Sequence, residues 1–112
     1  MQAINPLISK YVECVKEIYG SHVKRIILYG SYARGDFNRD SDVDIMILLD
    51  LSEEEAKAYQ NALFDSTYDF NMDHDIEINP ISHSEQLYRK WLMAYPFFQN
   101  VEKDGVNLYG AA

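Results

Sequence analysis

The pattern of apolar and polar positions divides the chain into alternating helices and strands. Near the N-terminus, apolar residues recur at the three- and four-residue spacing of a helix. Asn5 can cap this helix, Pro6 suits its first position and Gly20 ends it. Two apolar runs follow, VKRIILYG at 23–30 and DVDIMILLD at 42–50, and both are typical of buried strands. The second run is almost continuously apolar, so we expect it to be central in its sheet.

The middle of the chain predicts a helix followed by a third strand. The segment 51–70 has a helical pattern, and Ser52 with Glu55 predicts a capping box at its start. HDIEINPI at 74–81 then predicts a strand. Pro80 cannot donate a ladder hydrogen bond, so we expect this strand to lie at an edge of the sheet or to end there.

The C-terminal part predicts one more helix and a short strand. The segment 82–95 has a helical pattern that starts with a second S-x-x-E capping box. We expect Leu87, Trp91 and Tyr95 to form its buried face and Pro96 to end it. The remaining FFQNVEKDGVNLYG predicts a loop, a turn and a closing strand.

Composition places this pattern in a single folded domain. The chain has 112 residues, of which 47% are hydrophobic and 25% charged, and it shows no repeat or linker. We therefore predict one α/β domain over residues 1–112. We see neither an apolar run of the roughly 18 residues that a membrane span needs nor a signal peptide. Cys14 is the one cysteine, which excludes an intrachain disulfide and fits a cytoplasmic location.

The net charge limits the kind of ligand. At a formal charge of -8, the chain repels nucleic acid unless metal ions or a local basic patch intervene. A long polynucleotide substrate is therefore disfavoured. A small anionic ligand carried by a cation is compatible with this charge.

The first strand runs directly into Gly30 and Ser31, followed by a short helical pattern. Such a turn aims backbone N–H groups and a hydroxyl at one point, where a phosphate can bind. Many such turns carry Gly-Ser for geometry alone. The sequence has neither GxxxxGK[ST] nor GxGxxG, which excludes a P-loop and a dinucleotide-binding Rossmann motif.

Paired acids lie at the start of the second strand. Residues two apart in a strand face the same side, so Asp42 and Asp44 are expected to point together, roughly 6–7 Å apart. Their charges repel unless a cation lies between them, and Mg²⁺ prefers such oxygen ligands. Asp75 and Glu77, also two apart, lie on the predicted third strand, and either residue can complete a carboxylate cluster.

The run GSYARGDFNRDSDVDI at 30–45 resembles the signature of the DNA polymerase β-like nucleotidyltransferases, in their minimal (MNT) branch. The family pattern is Gly-Ser, about ten residues, Asp-x-Asp and a third acid on a later strand. Ten residues separate Gly30-Ser31 from Asp42-Val43-Asp44 here, and ARG at 33–35 is also typical of the branch. The resemblance covers a core from about Lys24 to Ile81.

The resemblance implies a fold and a phosphate site. The fold is a small mixed β-sheet with helices packed mainly on one face. Gly30 and Ser31 are expected to hold the triphosphate of ATP. Arg34 is a further phosphate contact, with an ion pair to Asp36 or Asp40 as an equal alternative.

The resemblance also implies a metal site. Asp42 and Asp44 are expected to bind one or two Mg²⁺ ions and to be catalytic, together with a third acid. We place the third acid at Glu77, because EINP matches the family's third-strand pattern. The family usually has Asp at this position, so Asp75 is its rival.

The implied activity is transfer of AMP from ATP to an acceptor hydroxyl. Small proteins of this kind commonly act as antitoxins that modify a helical HEPN-type partner protein, and we expect such a partner here. The alternative is a nucleotide-binding module that neutralises its partner by docking alone. Modification of a small molecule is a weaker third hypothesis, because about 30 residues after the third strand leave little room for a substrate domain.

Overall fold

A four-stranded mixed sheet forms the centre of the molecule. The computed structural model describes residues 5–38 and 40–110. The helices are α1 (Asn5–Tyr19), α2 (Ser31–Arg34), α3 (Glu53–Ala56), α4 (Gln60–His74), α5 (Glu85–Trp91) and α6 (Pro96–Asp104), with 3₁₀ turns at Gly20–His22 and Lys57–Tyr59. The strands are β1 (Val23–Tyr29), β2 (Val43–Leu49), β3 (Ile78–Ser84) and β4 (Val106–Tyr109).

The strand order is β3-β2-β1-β4. Strand β1 pairs antiparallel with β2 and β4, whereas β2 and β3 are parallel. The central position of β2 and the edge position of the Pro80-containing strand are both confirmed. Six of the seven β2 residues are buried, and the exception is Asp44, which is half-buried.

Two cores lie on opposite faces of the sheet. On one face, the long helices α1 and α4 cover β1 and β2, and a buried hydrogen bond of 2.6 Å joins Tyr11 Oη to Thr67 Oγ1 between them. On the other face, the shorter helices α5 and α6 contribute Tyr88 and Val101 to a smaller core with Met46 and Leu48. The mixed sheet is therefore as expected, and its second face is also covered by helices.

The helix predicted over 51–70 is interrupted and longer. The Ser52–Glu55 capping box is present, with both of its hydrogen bonds. The 3₁₀ turn Lys57–Tyr59 then separates α3 from α4, and it places Tyr59 against Tyr19, with ring centroids 5.0 Å apart. Helix α1 begins at Asn5, whose predicted capping side chain lies outside the described part of the structure.

The C-terminal helix prediction was wrong in register. Residues 82–84 belong to β3, so the helix cap is Ser84 rather than Ser82. Helix α5 ends at Trp91, and its buried residue is Tyr88. Of the residues predicted to be buried, Leu87 and Trp91 are half-buried and Tyr95 is exposed. The physical reason is the parallel pairing of the whole of β3 with β2, which delays the helix by three residues.

The predicted loop after Pro96 is also wrong, because Pro96 begins helix α6, and the predicted stop at Pro96 is wrong because α5 has already ended at Trp91. Proline is favoured in the first helical turn, where its missing N–H has no helical partner to lose. The helix ends at Asp104, and the expected closing strand follows as β4. Among the described residues, no helix combines the length and the apolar character that crossing a membrane requires.

Candidate active site

The turn between β1 and α2 requires a glycine. Gly30 has φ 78°, a conformation that residues with a side chain rarely adopt. A Cβ atom at this position would lie 2.5 Å from Oδ2 of Asp44. The glycine therefore lets the chain turn directly against a carboxylate of the predicted site.

The two predicted metal ligands lie together beside this turn. Strand pairing places Asp44 opposite Tyr29, the last residue of β1, and Asp42 immediately precedes β2. Asp44 is half-buried and Asp42 is exposed. Burial raises the pKa of Asp44, the charge of Asp42 raises it further, and the charge of Arg34 opposes this rise.

Tyr29 borders the carboxylate pair on the side of the smaller core. Burial raises its pKa to about 12, and the negative charge of Asp44 adds to this effect. Its ring meets Phe97 of α6 edge to face, with centroids 5.8 Å apart. The phenol therefore remains neutral at physiological pH, in contact with the helices that cover this face.

A cleft of about 320 Å³ opens beside Asp42. It is lined by Tyr32, Asp40, Ser41, Asp42, Asp75, Ile76 and Glu77. Both candidates for the third acid therefore line the same cleft as one of the paired acids. Tyr32, which stacks on Phe37 at a centroid distance of 4.2 Å, forms part of its border.

The placement of the third acid differs from the prediction, because the third strand begins only at Ile78. Asp75 instead ends α4 in a left-handed conformation, with φ 51°. Glu77 is exposed, but its carbonyl accepts a 2.8 Å hydrogen bond from the N–H of Val43, which fixes its backbone beside the start of β2.

Asn71 of α4 holds the first residue of β3 in place. The side-chain amide of Asn71 donates to the carbonyl of Ile78 at 3.2 Å and accepts from its N–H at 3.0 Å. These bonds tie the last turn of α4 to the first residue of β3. A helical pattern in the sequence does not reveal this tertiary contact.

Arg34 forms the ion pair that the sequence left as an alternative. Its Nε lies 3.3 Å from Oδ2 of Asp36, and both side chains are at least half exposed. An exposed pair of this kind contributes little stability, so it does not hold Arg34 away from a ligand.

Asn79 is a site residue that the sequence reasoning missed. It pairs with Asp44 in the β2–β3 register, and its Nδ2 donates to Oδ2 of Asp42 at 2.7 Å. Asn79 lies two residues after Glu77, and residues two apart in an extended chain face the same side. This spacing points to the site only once the strand register shows that Asn79 lies beside Asp44.

The donor set fits a hard divalent cation in part. The carboxylates of Asp42 and Asp44 repel each other, and a cation bound between them would lower the raised pKa of Asp44. Across residues 5–38 and 40–110, no three His, Cys, Asp or Glu side chains form a group that could hold a metal ion. Asp42 and Asp44 are therefore the two predicted metal ligands that lie together.

Comparison with known proteins decides the family. The model of the family described as "Nucleotidyltransferase domain" matches residues 8–97, which is most of the chain and includes every candidate site residue. The chain belongs to this nucleotidyltransferase family. The resemblance carried by the Gly-Ser and Asp-x-Asp motifs is thereby confirmed, and the chain is classed as a nucleotidyltransferase.

Curated relatives of this nucleotidyltransferase come from an archaeon. Two proteins of Methanocaldococcus jannaschii, each named "Putative protein adenylyltransferase", are 34% and 30% identical to it over 102 residues. The alignments cover 91% of this chain and 94% and 95% of those proteins.

Solved structures share the fold of the nucleotidyltransferase. Two toxin–antitoxin crystal structures, an MntA-HpeT mutant and one with AMP-PNP, each give a TM-score of 0.59, at 17% and 19% identity. Both alignments cover 92% of this chain and 73% of the other chain. A "putative nucleotidyltransferase" from Sulfolobus solfataricus gives a TM-score of 0.53 at 24% identity, covering 98% and 88%.

Proposed function

We propose that this nucleotidyltransferase uses Mg²⁺ to transfer AMP from ATP to a hydroxyl group of a partner protein. The observation that carries the proposal is the meeting of two carboxylates, Asp42 and Asp44, with the Gly30 turn at the edge of a cleft. Phosphoryl-type transfer needs this combination of a phosphate-binding backbone and oxygen ligands for a divalent ion.

Each residue of the motif has a proposed role. Gly30 and Ser31 hold the triphosphate. The exposed Arg34 gives up its ion pair with Asp36 and contacts a phosphate oxygen instead. Asp42 and Asp44 hold Mg²⁺, which supplies positive charge for the pyrophosphate leaving group when it is bound.

Glu77 is proposed as the third acid. Its backbone is fixed to β2 through Val43, and its side chain is exposed at the cleft. In the reaction, a bond forms between the acceptor oxygen and the α-phosphorus, and the bond from that phosphorus to the pyrophosphate oxygen breaks. The hydroxyl proton leaves the acceptor, and the carboxylate of Glu77 helps to draw it away.

A protein acceptor is supported by the names of the curated relatives, since both describe protein adenylyltransferases over nearly the full length of this chain. It is also supported by the toxin–antitoxin structures that share the fold. We therefore propose an antitoxin role, with a helical HEPN-type protein as partner and a tyrosine hydroxyl as acceptor, in the cytoplasm.

One face of α4 supports a protein partner independently. Phe64, Tyr68 and Met72 are four residues apart, so they lie on one side of the helix, and they are 55%, 65% and 67% exposed. Exposed apolar rows of this kind are characteristic of surfaces that another molecule covers. We call this set the α4 apolar row.

The charges beside the α4 apolar row indicate the chemistry of the partner. Each residue of the row is followed directly by an exposed aspartate, namely Asp65, Asp69 and Asp73, and these aspartates form an acidic border along the row. A partner with Lys or Arg around an apolar strip complements this border, whereas a second copy of this chain would bring acidic borders together. Since Asp75, at the end of α4, lines the cleft, a partner on this row lies beside the site.

The test is transfer of label from [α-³²P]ATP to a candidate partner, a small helical HEPN-type protein. Wild-type protein with Mg²⁺ is expected to label the partner, and Asp42→Asn/Asp44→Asn protein is expected to lose labelling at least 100-fold. Glu13→Gln/Glu17→Gln removes two exposed charges from α1 and is the matched control. Equal labelling by the wild type and the aspartate variant would refute the proposal.

A second function is favoured by the α4 apolar row. A partner that binds this exposed row can be neutralised by docking alone, without transfer of AMP. Calorimetry with Mg²⁺ and ATP separates the two. Nucleotide binding without turnover, with the partner still inhibited by the aspartate variant, would establish docking.

A further inference from the structure

We infer that Asn79 is a positioning residue for Asp42, and that it fixes the carboxylate for the cation without adding a charge. The inference rests on the proposed function, since it concerns the same cation site. Its carrying observation is the 2.7 Å hydrogen bond from Asn79 Nδ2 to Asp42 Oδ2.

The position of Asn79 follows from the strand register. Strand β3 runs parallel to β2, with Val43 beside Ile78 and Asp44 beside Asn79. Asn79 is thus the strand neighbour of one paired acid and the hydrogen-bond donor to the other. It is exposed, so its side chain does not serve to fill the core.

Asp42 needs such a partner because it precedes the strand and is exposed. Within residues 5–38 and 40–110, the bond from Asn79 is the only side-chain hydrogen bond made by the Asp42 carboxylate. A free carboxylate of this kind samples several rotamers, and ordering it costs conformational entropy when a cation binds. The bond to Oδ2 restricts this freedom and leaves Oδ1 available.

The chemical type of residue 79 matters as much as its position. A neutral amide donates a charge-assisted hydrogen bond to a carboxylate. A carboxylate at the same position would place a third negative charge beside Asp42 and Asp44 and could not donate when ionised. Residues that orient metal ligands typically change affinity or activity by 10–100-fold when they are substituted.

The test is the affinity of the protein for Mn²⁺, measured by electron paramagnetic resonance without nucleotide, because ATP itself chelates Mn²⁺, and without any acceptor protein. Asn79→Leu keeps the approximate size of the side chain and removes the donor, and we expect it to weaken Mn²⁺ binding about tenfold. Asn61→Leu, the same change at an exposed position of α4, is expected to leave the affinity unchanged.

A double-mutant cycle separates positioning from a general structural effect. If Asn79 acts through Asp42, then Asn79→Leu has no further effect on Mn²⁺ affinity in an Asp42→Asn background. An unchanged affinity in Asn79→Leu alone, or an equal loss in both backgrounds, would overturn the inference. Because no transfer is measured, such a result leaves the proposed AMP transfer standing. That proposal fails separately, if wild-type protein does not label its partner.

Discussion

Asp44 must be ionised to bind a cation, but its ionisation destabilises the folded protein. The carboxylate is half-buried, and both burial and the nearby charge of Asp42 raise its pKa. A group whose pKa is higher in the folded than in the unfolded state stabilises the protein only at low pH. As the pH rises through the folded-state pKa, ionisation of Asp44 costs folding free energy.

Asp44→Asn is therefore expected to stabilise the metal-free protein at neutral pH. The gain should disappear in acid, where the wild-type carboxyl is protonated in both states. The measurement is the free energy of unfolding against pH in EDTA, with Asp104→Asn as a control at an exposed position. A destabilised Asp44→Asn protein at pH 7 would contradict this account of the site.

Adding Mg²⁺ and ATP should make the wild type more stable to unfolding than Asp44→Asn, which reverses their order in the metal-free state. A ligand that binds only the folded state stabilises it in proportion to the logarithm of ligand concentration over the dissociation constant. The wild type should gain stability on this addition and Asp44→Asn should gain much less. The same unfolding experiment, repeated with ligand, checks this expectation.

At the residue level, the sequence was informative wherever local spacing determines geometry. Gly30 lies directly against Asp44, whereas the binding roles of Gly30, Asp42 and Asp44 stay predictions. Asn79 was missed, because its contact with Asp42 spans 37 positions and depends on the strand register. The roles of Glu77 and Asp75 stay predictions, since both line the cleft.

At the level of elements, one ionic network joins α5, α6 and two strands. Arg25 of β1 is 8% exposed, and its Nη1 donates to Oε1 of Glu102 at 2.9 Å. The hydroxyl of Tyr88 donates to the same oxygen at 2.9 Å, and Nε of Arg25 donates to Asn107 of β4 at 3.2 Å. These bonds fix the smaller core against the sheet.

Glu102→Gln is expected to destabilise the protein by about 1 kcal/mol at pH 7, because Arg25 loses its charged partner while the site is partly exposed. Hydrogen bonding to Arg25 lowers the pKa of Glu102 from its ordinary 4.5. Its stabilisation is therefore full above this value and is lost as the pH falls through the lower, folded-state pKa.

The measurement is the difference in unfolding free energy between wild type and Glu102→Gln across a pH series. Glu54→Gln, at an exposed position of α3, is the control. A difference that stays constant from neutral to strongly acidic pH would show that the Arg25–Glu102 charge pair does not contribute.

The α4 apolar row gives a second prediction for the elements. Phe64→Ser/Tyr68→Ser/Met72→Ser is expected to weaken partner binding at least tenfold while ATP binding is unchanged, because these side chains are exposed and lie outside the cleft. Met93→Ser/Tyr95→Ser removes two exposed apolar side chains elsewhere and is the control. Calorimetry with the partner and with ATP measures both affinities, and equal losses in the two variants would contradict the assignment.

The elements that sequence predicted poorly are those set by tertiary contacts. Strands β1 and β2 and helix α1 have patterns strong enough to be identified directly. The start of β3 depends on the hydrogen bonds of Asn71, and α5 buries Tyr88 through its bond to Glu102. Neither contact has a signature within its own segment.

For the whole molecule, the mixed sheet explains how distant parts of the sequence form one site. The antiparallel pairing of β1 with β2 places Gly30 beside Asp44, and the parallel β2–β3 pair adds Asn79. The mixed sheet of the family fold was expected from the resemblance rather than from periodicity, and the parallel pairing of β2 with β3 was not predicted. The helices on the second face were not expected, because α6 was read as a loop.

The proposed reaction is transfer of the AMP part of ATP by the site at Gly30, Asp42 and Asp44. The most direct measurement compares [α-³²P]ATP with [γ-³²P]ATP as label donors to the partner protein, in the presence of Mg²⁺. Wild-type protein is expected to transfer the α label alone and to release one pyrophosphate for each label transferred. Asp42→Asn/Asp44→Asn protein is expected to transfer neither label. Transfer of the γ label, or α-label transfer that persists in the aspartate variant, would contradict AMP transfer by this site.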